Sequence, residues 1–545
     1  MRLLNARTFQ LKTFFNNIPP YAILSHCWED EEVVFSDLDH LEKARKKKGF
    51  AKLQKTCKLA IEHGFEYAWI DTCCIDKSSS AELSEAINSM FAWYKNCGQC
   101  YAYLADVEFE GAFTDSTVTE QFDTLSTSKW FTRAWTLQEL LAPKASVWSR
   151  ASGMHFYSRN WRLLGNKTTL TEVISMITRV PFRYLLGDAL GAASISMRMS
   201  WAAGRQATRA EDIAYSLLGI FDVNMPLLYG EGKRKAFWRL QEEIMKLSED
   251  ETLFAWRKTN PFSDSHIFAN EPDDFSEAGR LVPFESEFPP PPYTMTHRGL
   301  RISLPLFSGD QLDVRGLIAL QPLYSKTQRR WDVDVTWGIL RCHVLHDYRY
   351  RVVIPLQCLS PNVFFRDHSL EASLIPEHLL PDTTYTHEIY IKSGITYIDR
   401  DPVKRRFGFF FQNVPANAYI RSPIPEVAMS SSERIVYGKP GGGSWEASIE
   451  LVCPPPIHGW SQAGDLVIPL TLGCISTWSM QNGEQAPRPW CKIGNYGPSI
   501  VRHYHDHVSS ETLTPSGLKF KATITSRKVL MQDMFVVDIE IDNQS

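Results

Sequence analysis

Short uninterrupted apolar runs alternate with stretches of helical period from residue 1 to about 256, the pattern of a parallel sheet covered by helices. The run YAILS at 21–25 reads as a buried strand between the breaker Pro19-Pro20 and a polar stretch. Leu53, Cys57 and Ile61 then form one apolar stripe, which predicts a helix within 41–63 ended by Gly64. Residues 67–70 predict a second strand ending at Asp71, followed by a loop over 72–80. Ser79 with Glu82 three residues on is a capping-box signature, and Leu83, Ile87, Met90, Phe91 and Tyr94 line one face of the helix behind it. A third strand is predicted at 100–104 and a helix over 135–141, ended near Pro143. Thr208 with Glu211 predicts a cap for a helix over 212–218; Phe237, Leu240, Ile244 and Leu247 mark another.

Beyond about Trp256 the helical period fades, prolines cluster at 289–292 and 454–456, and alternating segments at 331–337, 348–354, 386–391 and 534–541 predict an antiparallel β-rich region. The expected fold class is therefore an α/β N-terminal domain, a parallel sheet flanked by helices, followed by a β-rich C-terminal region. The expected boundaries are a domain over 1–260, with a sheet-bearing core at about 18–145 and a helical extension at about 160–256, and a second region over 261–545 of unassigned role.

Composition changes little in that picture. Of the 545 residues, 44% are hydrophobic and 22% charged, which excludes wholesale disorder. A formal charge of -4 argues against a nucleic-acid or anionic-membrane binder that relies on net charge. The first twelve residues carry Arg2, Asn5, Arg7 and Lys12 and no apolar segment of secretory type, and no run reaches the length of a membrane span. Eleven cysteines, an odd number, read as reduced thiols. The expectation is a cytoplasmic protein with no nucleic-acid partner and no membrane span.

In an open parallel sheet, ligands bind beyond the carboxyl ends of the strands. That rule selects Ser25, His26 and Trp28 after the first strand, Asp71, Asp76 and Lys77 after the second, and Asp106 after the third. Plainer readings stand beside it: Asp71 caps a turn, Lys77 is solvated, Trp28 packs. Glu139 is the strongest catalytic candidate, because Trp130, Trp135 and apolar neighbours would desolvate its carboxyl and fit it to stabilise a cation or accept a proton. Its plainer reading is a surface residue or a partner for Arg133.

Four blocks in order, YAILSHCW at 21–28, WIDTCCIDK at 69–77, RAWTLQELLAP at 133–143 and RAEDIAYSLLGIF at 209–221, resemble the fungal heterokaryon incompatibility (HET) domain family. The resemblance continues through PLLYGEG at 226–232 to LFAW at 253–256 and covers a little under half of the chain. It implies a trigger of regulated cell death in non-self recognition, working through self-association and a protein partner that senses non-self. That family is distantly similar to Toll/interleukin-1 receptor (TIR) domains, which implies a flavodoxin-like sheet and, from the enzymatic members, cleavage of NAD. WTLQEL at 135–140 is similar to their Trp-Cys-Leu-x-Glu-Leu pattern and puts Glu139 at the catalytic position, with Thr136 in place of the cysteine. Ser25, His26, Trp28, Asp71, Asp76, Lys77, Trp130, Arg133 and Trp135 are then the candidate substrate-binding set. NAD is the candidate substrate, and no metal or separate cofactor is implied. A non-enzymatic oligomerising adaptor is the rival reading, and a cysteine hydrolase using Cys73 or Cys74 with His26 is a third.

Other signals carry less. Cys97-Gly-Gln-Cys100 lacks a second pair at zinc-finger spacing. His503, His505 and His507 would share one face of a strand, but nothing nearby completes a ligand set. The glycines at 441–443 and Gly230-Glu231-Gly232 match no nucleotide-binding fingerprint.

Overall fold

The computed structural model describes residues 1–109, 113, 116–144, 153–257, 266–284, 291–308, 318–319, 336–360, 362–366, 371–380, 385–393 and the strands lying within 408–543. The histidines at 503, 505 and 507 and the glycines at 441–443, both set aside above, lie outside the described residues.

Seven strands form the first sheet: β1 (Arg2–Asn5), β2 (Leu11–Thr13), β3 (Tyr21–His26), β4 (Tyr67–Trp69), β5 (Gln99–Tyr103), β6 (Gly153–Tyr157) and β7 (Leu163–Asn166), in the order β2-β1-β4-β3-β5-β6-β7. β4, β3, β5 and β6 run parallel, and their order, second-first-third-fourth along the chain, is that of a doubly wound α/β sheet. β1, β2 and β7 add antiparallel edges. Every residue of β3 and β5 is buried, because helices cover both faces, so these strands read as continuous rather than alternating apolar runs. The strand order reverses between β3 and β5, which opens the carboxyl ends of those two strands as the natural binding edge.

Six helical pieces surround this core: α1 (Leu41–Ala44), α2 (Phe50–Glu62), the turn α3 (Asp71–Cys74), α4 (Ser80–Asn96), α5 (Val118–Ser126) and α6 (Thr136–Leu141). The single helix expected within 41–63 is broken, since its basic stretch occupies turns and α2 restarts after Gly49. The loop expected at 72–80 begins with the helical turn α3. Ser79 does cap α4 by accepting from Glu82 N, but the Glu82 carboxylate leaves the box and takes Arg2 instead.

The remaining helices are α7 (Thr171–Thr178), α8 (Phe182–Leu186), α9 (Ile195–Ser200), α10 (Asp212–Tyr215), α11 (Leu218–Phe221) and α12 (Lys233–Leu247). The box expected from Thr208 and Glu211 does not form: the Glu211 carboxylate accepts from Gly230 N and Gly232 N at 2.8 and 3.0 Å, pinning a distant loop. Phe237, Leu240 and Ile244 are buried on α12 as their spacing predicts, whereas Leu247 is exposed.

In the second region, Gly299–Ser308, Thr336–Leu340, Tyr350–Ser360, Val363–Arg366 and Tyr385–Lys392 pair in a closed ring. All pairs in this barrel are antiparallel except the one between Val363–Arg366 and Tyr385–Lys392. One hydrophobic cluster runs from Leu3 through to Ile391, so the sheet, the helices and the barrel share a core. Buried Arg366 reaches back to donate to Phe254 O and Trp256 O at 2.7 and 2.5 Å, its guanidinium 3.8 Å from the Trp256 ring centre. Arg341 N likewise donates to the buried Glu251 carboxylate at 2.7 Å.

Candidate functional site

The apolar run of β3 ends in two buried polar residues, Ser25 and His26, at the edge where the strand order reverses. Each organises one half of the rim.

The inner half belongs to Ser25. Its hydroxyl accepts from Trp130 Nε1 at 2.9 Å and donates to the Glu139 carboxyl. Glu139 sits on α6, which packs against β3, and only 7% of the residue is exposed. Burial pushes its pKa up to about 8; nearby Asp71 acts in the same direction, while the hydrogen bonds of Ser25 and Tyr94 and the charge of Arg133 oppose it. Tyr94 of α4, fully buried, donates to Leu24 O at 3.0 Å and forms the floor.

The outer half belongs to His26. Lys52 Nζ lies 3.0 Å from Nδ1 and Asp71 Oδ1 lies 3.1 Å from Nε2. An ammonium has only donors, so Nδ1 accepts and Nε2–H donates to Asp71. Lys52 also pairs with Glu32 at 2.5 Å and Glu29 at 3.2 Å, and with His26 it lines a small pocket alongside Ile70 and Thr72. The second Asp71 oxygen accepts from Trp28 Nε1 at 2.7 Å. Burial alone would raise the Asp71 pKa, but the His26 and Trp28 hydrogen bonds and the Lys77 charge outweigh it and bring it down to about 2. The Lys77 ammonium rests 3.4 Å from the centre of the half-exposed Trp28 ring.

A third segment fastens α6 in place. Gln206 exchanges backbone hydrogen bonds with Thr132 and Ala134, and buried Arg205 donates to Arg133 O at 2.9 Å and to Thr136 Oγ1 at 3.2 Å. Arg133 turns outward, donating to Thr208 Oγ1 at 3.1 Å. Trp135 Nε1 donates to Asp212 at 3.1 Å, and the Tyr229 hydroxyl donates to the same carboxylate at 3.0 Å. Arg209 lies over the Tyr229 ring, 4.3 Å from its centre.

Of the residues selected from sequence, Ser25, Trp130 and Glu139 meet in one cluster, and His26, Trp28, Asp71 and Lys77 in a second beside it. Trp135 and Arg133 flank α6 and face the segment 205–212. Asp76 stays in its own loop, accepting from Ser78 N and Oγ at 3.0 and 2.6 Å, and Asp106 binds Ser128 Oγ and Lys129 N. The partner considered for Glu139, Arg133, influences it only through charge. A cysteine nucleophile is not assembled here: the Cys73 thiol is held protonated, first by its hydrogen bond with Cys74 and then by burial, and the His26 nitrogens face Lys52 and Asp71. Cys97 and Cys100 are free thiols, and among the described residues no group of side chains has metal-ligand geometry. No helix of the described residues is long and apolar enough to cross a membrane.

Sequence reading missed Lys52, Tyr94 and Arg205. A lysine directly before Leu53 of the α2 stripe is the available signal for the first; Tyr94 falls on the apolar face of its helix, where the spacing signals packing alone. Arg205 gave none, because its partners are a carbonyl and a hydroxyl about 70 positions away.

Comparison with known proteins converges on the same part of the chain. Residues 21–122 match the family model described as heterokaryon incompatibility protein (HET), and residues 235–278 match a domain of unknown function (DUF8212). Vegetative incompatibility protein HET-E-1 of Podospora anserina is 45% identical over 249 residues, which cover 45% of this chain and 18% of that protein. The match thus spans about a fifth of the length of the curated relative. No solved structure matches the chain. The strand β3, the α3 turn with Asp71 and the strand β5 all fall inside the matched segment, so it is this N-terminal part of the chain that is similar to the heterokaryon incompatibility (HET) family.

Proposed function

We propose that this protein acts in heterokaryon incompatibility as a cell-death effector that cleaves the nicotinamide–ribose bond of NAD, with Glu139 as the catalytic carboxylate and self-association as the trigger. The observation that carries this reading is the setting of Glu139: one carboxyl group, desolvated, fixed by Ser25 and placed at the carboxyl end of the central parallel strand. Nicotinamide leaves as a neutral base, taking the electron pair of the glycosidic bond and leaving an oxocarbenium-like ribose. An ionised Glu139 stabilises that cation, water adds to the anomeric carbon, and the water's proton passes to the carboxylate or solvent. The products are nicotinamide, ADP-ribose and a proton. Ionisation near pH 8 makes kcat/KM rise with pH through the neutral range.

The experiment is nicotinamide release by the full chain at high protein concentration, with NAD content and viability measured on expression in cells. Release by wild type and its loss in Glu139→Gln at unchanged melting temperature supports the proposal. Cell killing by both, with NAD untouched, replaces it with the adaptor reading, which the burial of Glu139 against Ser25 also accommodates.

A further inference from the structure

Two side-chain groups near Glu139 are built on one plan. Trp28 gives its ring N–H to Asp71 and carries the Lys77 ammonium on its face; Tyr229 gives its hydroxyl to Asp212 and carries the Arg209 guanidinium on its face. In both, an aromatic tip occupies the carboxylate and the aromatic face holds the cation. His26 takes the other Asp71 oxygen and Trp135 the other Asp212 oxygen. The two acids nearest the cations are thereby engaged by neutral donors, and Lys77, Arg209 and Arg133 make no ion pair among the described residues. Arg133, hydrogen-bonded to Thr208 beside Arg209, links this group to Glu139, on which its charge acts. Lys77 and Arg209 also sense each other: the Lys77 pKa lies below the ordinary lysine value, chiefly through loss of water around the amine, with Arg209 acting in the same direction against Asp71, Cys73 and Glu32.

Three cations that make no direct ion pair among the described residues, two of them held on aromatic rings, suit a ligand with several negative oxygens. A lone carboxylate would satisfy one cation; a diphosphate spans neighbouring ones. We infer that Lys77, Arg209 and Arg133 form a diphosphate-binding site at the rim, which takes the pyrophosphate of a dinucleotide and so directs its ribose toward Glu139. The direction toward Glu139 rests on the NAD reading; the diphosphate site itself stands on the two aromatic-borne cations. Lys77 and Arg133 were selectable from sequence as substrate contacts, whereas Arg209 and Tyr229 enter only through the fold.

The test is calorimetric titration of the full chain with ADP-ribose, inorganic pyrophosphate and adenosine. The variants are Lys77→Met and Arg209→Met, which keep an apolar stem on each ring, their double, and the charge-preserving Lys77→Arg and Arg209→Lys. The expected result is ADP-ribose and pyrophosphate binding that weakens with salt and falls roughly tenfold for each methionine variant, with the charge-preserving variants near wild type and adenosine binding far more weakly. Glu139→Gln is run in parallel. If it keeps ADP-ribose affinity and wild type releases no nicotinamide, the diphosphate site stands and NAD cleavage falls. ADP-ribose affinity equal in wild type and the double methionine variant, adenosine binding as tightly as ADP-ribose, or no binding of either phosphate ligand overturns the site.

Discussion

Glu139 and Asp71 are carboxyl groups at neighbouring strand ends, yet their surroundings drive them in opposite directions. Glu139 is buried beside the hydroxyls of Ser25 and Tyr94 and the negative charge of Asp71, and its pKa is pushed up to about 8; Asp71 has two ring N–H donors and a nearby ammonium, and its pKa is brought down to about 2. Burial acts the same way on both, so the difference lies in the neighbours: the Asp71 charge adds to the rise at Glu139, whereas the ring N–H donors and the Lys77 charge outweigh burial at Asp71. The inner acid thus exchanges its proton nearer neutral pH, which suits the role proposed for it, while the outer acid stays an anion that accepts from His26 and Trp28.

That contrast breaks most visibly in activity. Glu139→Gln should lower nicotinamide release roughly a hundredfold or more. Asp71→Asn, measured in the same assay, should lower it less, and equal losses would erase the distinction between the two acids.

Stability is the next largest handle. Glu139 holds its proton more tightly in the folded chain than at its ordinary value of 4.5, so its contribution is complete below pH 4.5 and is lost as pH rises through about 8. Denaturant unfolding of wild type should lose up to about 1.4 kcal/mol per pH unit across that window relative to Glu139→Gln. Asp71 behaves inversely: its contribution is complete above 3.8 and is lost as pH falls through about 2. Asp71→Asn should therefore flatten only the acid end of the profile.

The pH profile of kcat/KM gives a smaller, sharper signal. With the Asp71 charge removed, the midpoint set by Glu139 should move down by several tenths of a pH unit. Ser25→Ala removes a donor to the ionised form and should move the same midpoint up. A midpoint indifferent to both variants would mean that another group sets it.

The parallel core was legible because strands buried on both faces leave continuous apolar runs, as at 21–25 and 100–104. β1 and β2, four and three residues long with several polar positions, carry no such signal and exist only through pairing with β4 and with each other. The stripe at Leu53 and Cys57 locates α2 but carries no signal for residues 45–49, where the chain turns between α1 and α2. Within the site, acids flanked by aromatics could be picked out, whereas Arg205 and Asp212 become neighbours of α6 only when the segment after α9 folds back on it. Glu211 illustrates the competition: the spacing of a cap was present, and two loop amides won its carboxylate.

Arg366 adds a constraint of a different kind. Its guanidinium is planted among carbonyls contributed 110 and 112 positions earlier, so the barrel is keyed to the stretch around Trp256 rather than merely tethered after it. A chimaera that exchanges barrels between relatives by splicing at 260 would inherit a lock from one parent and its key from another. Junctions placed upstream of Glu251 would keep Arg366 together with the carbonyls it binds.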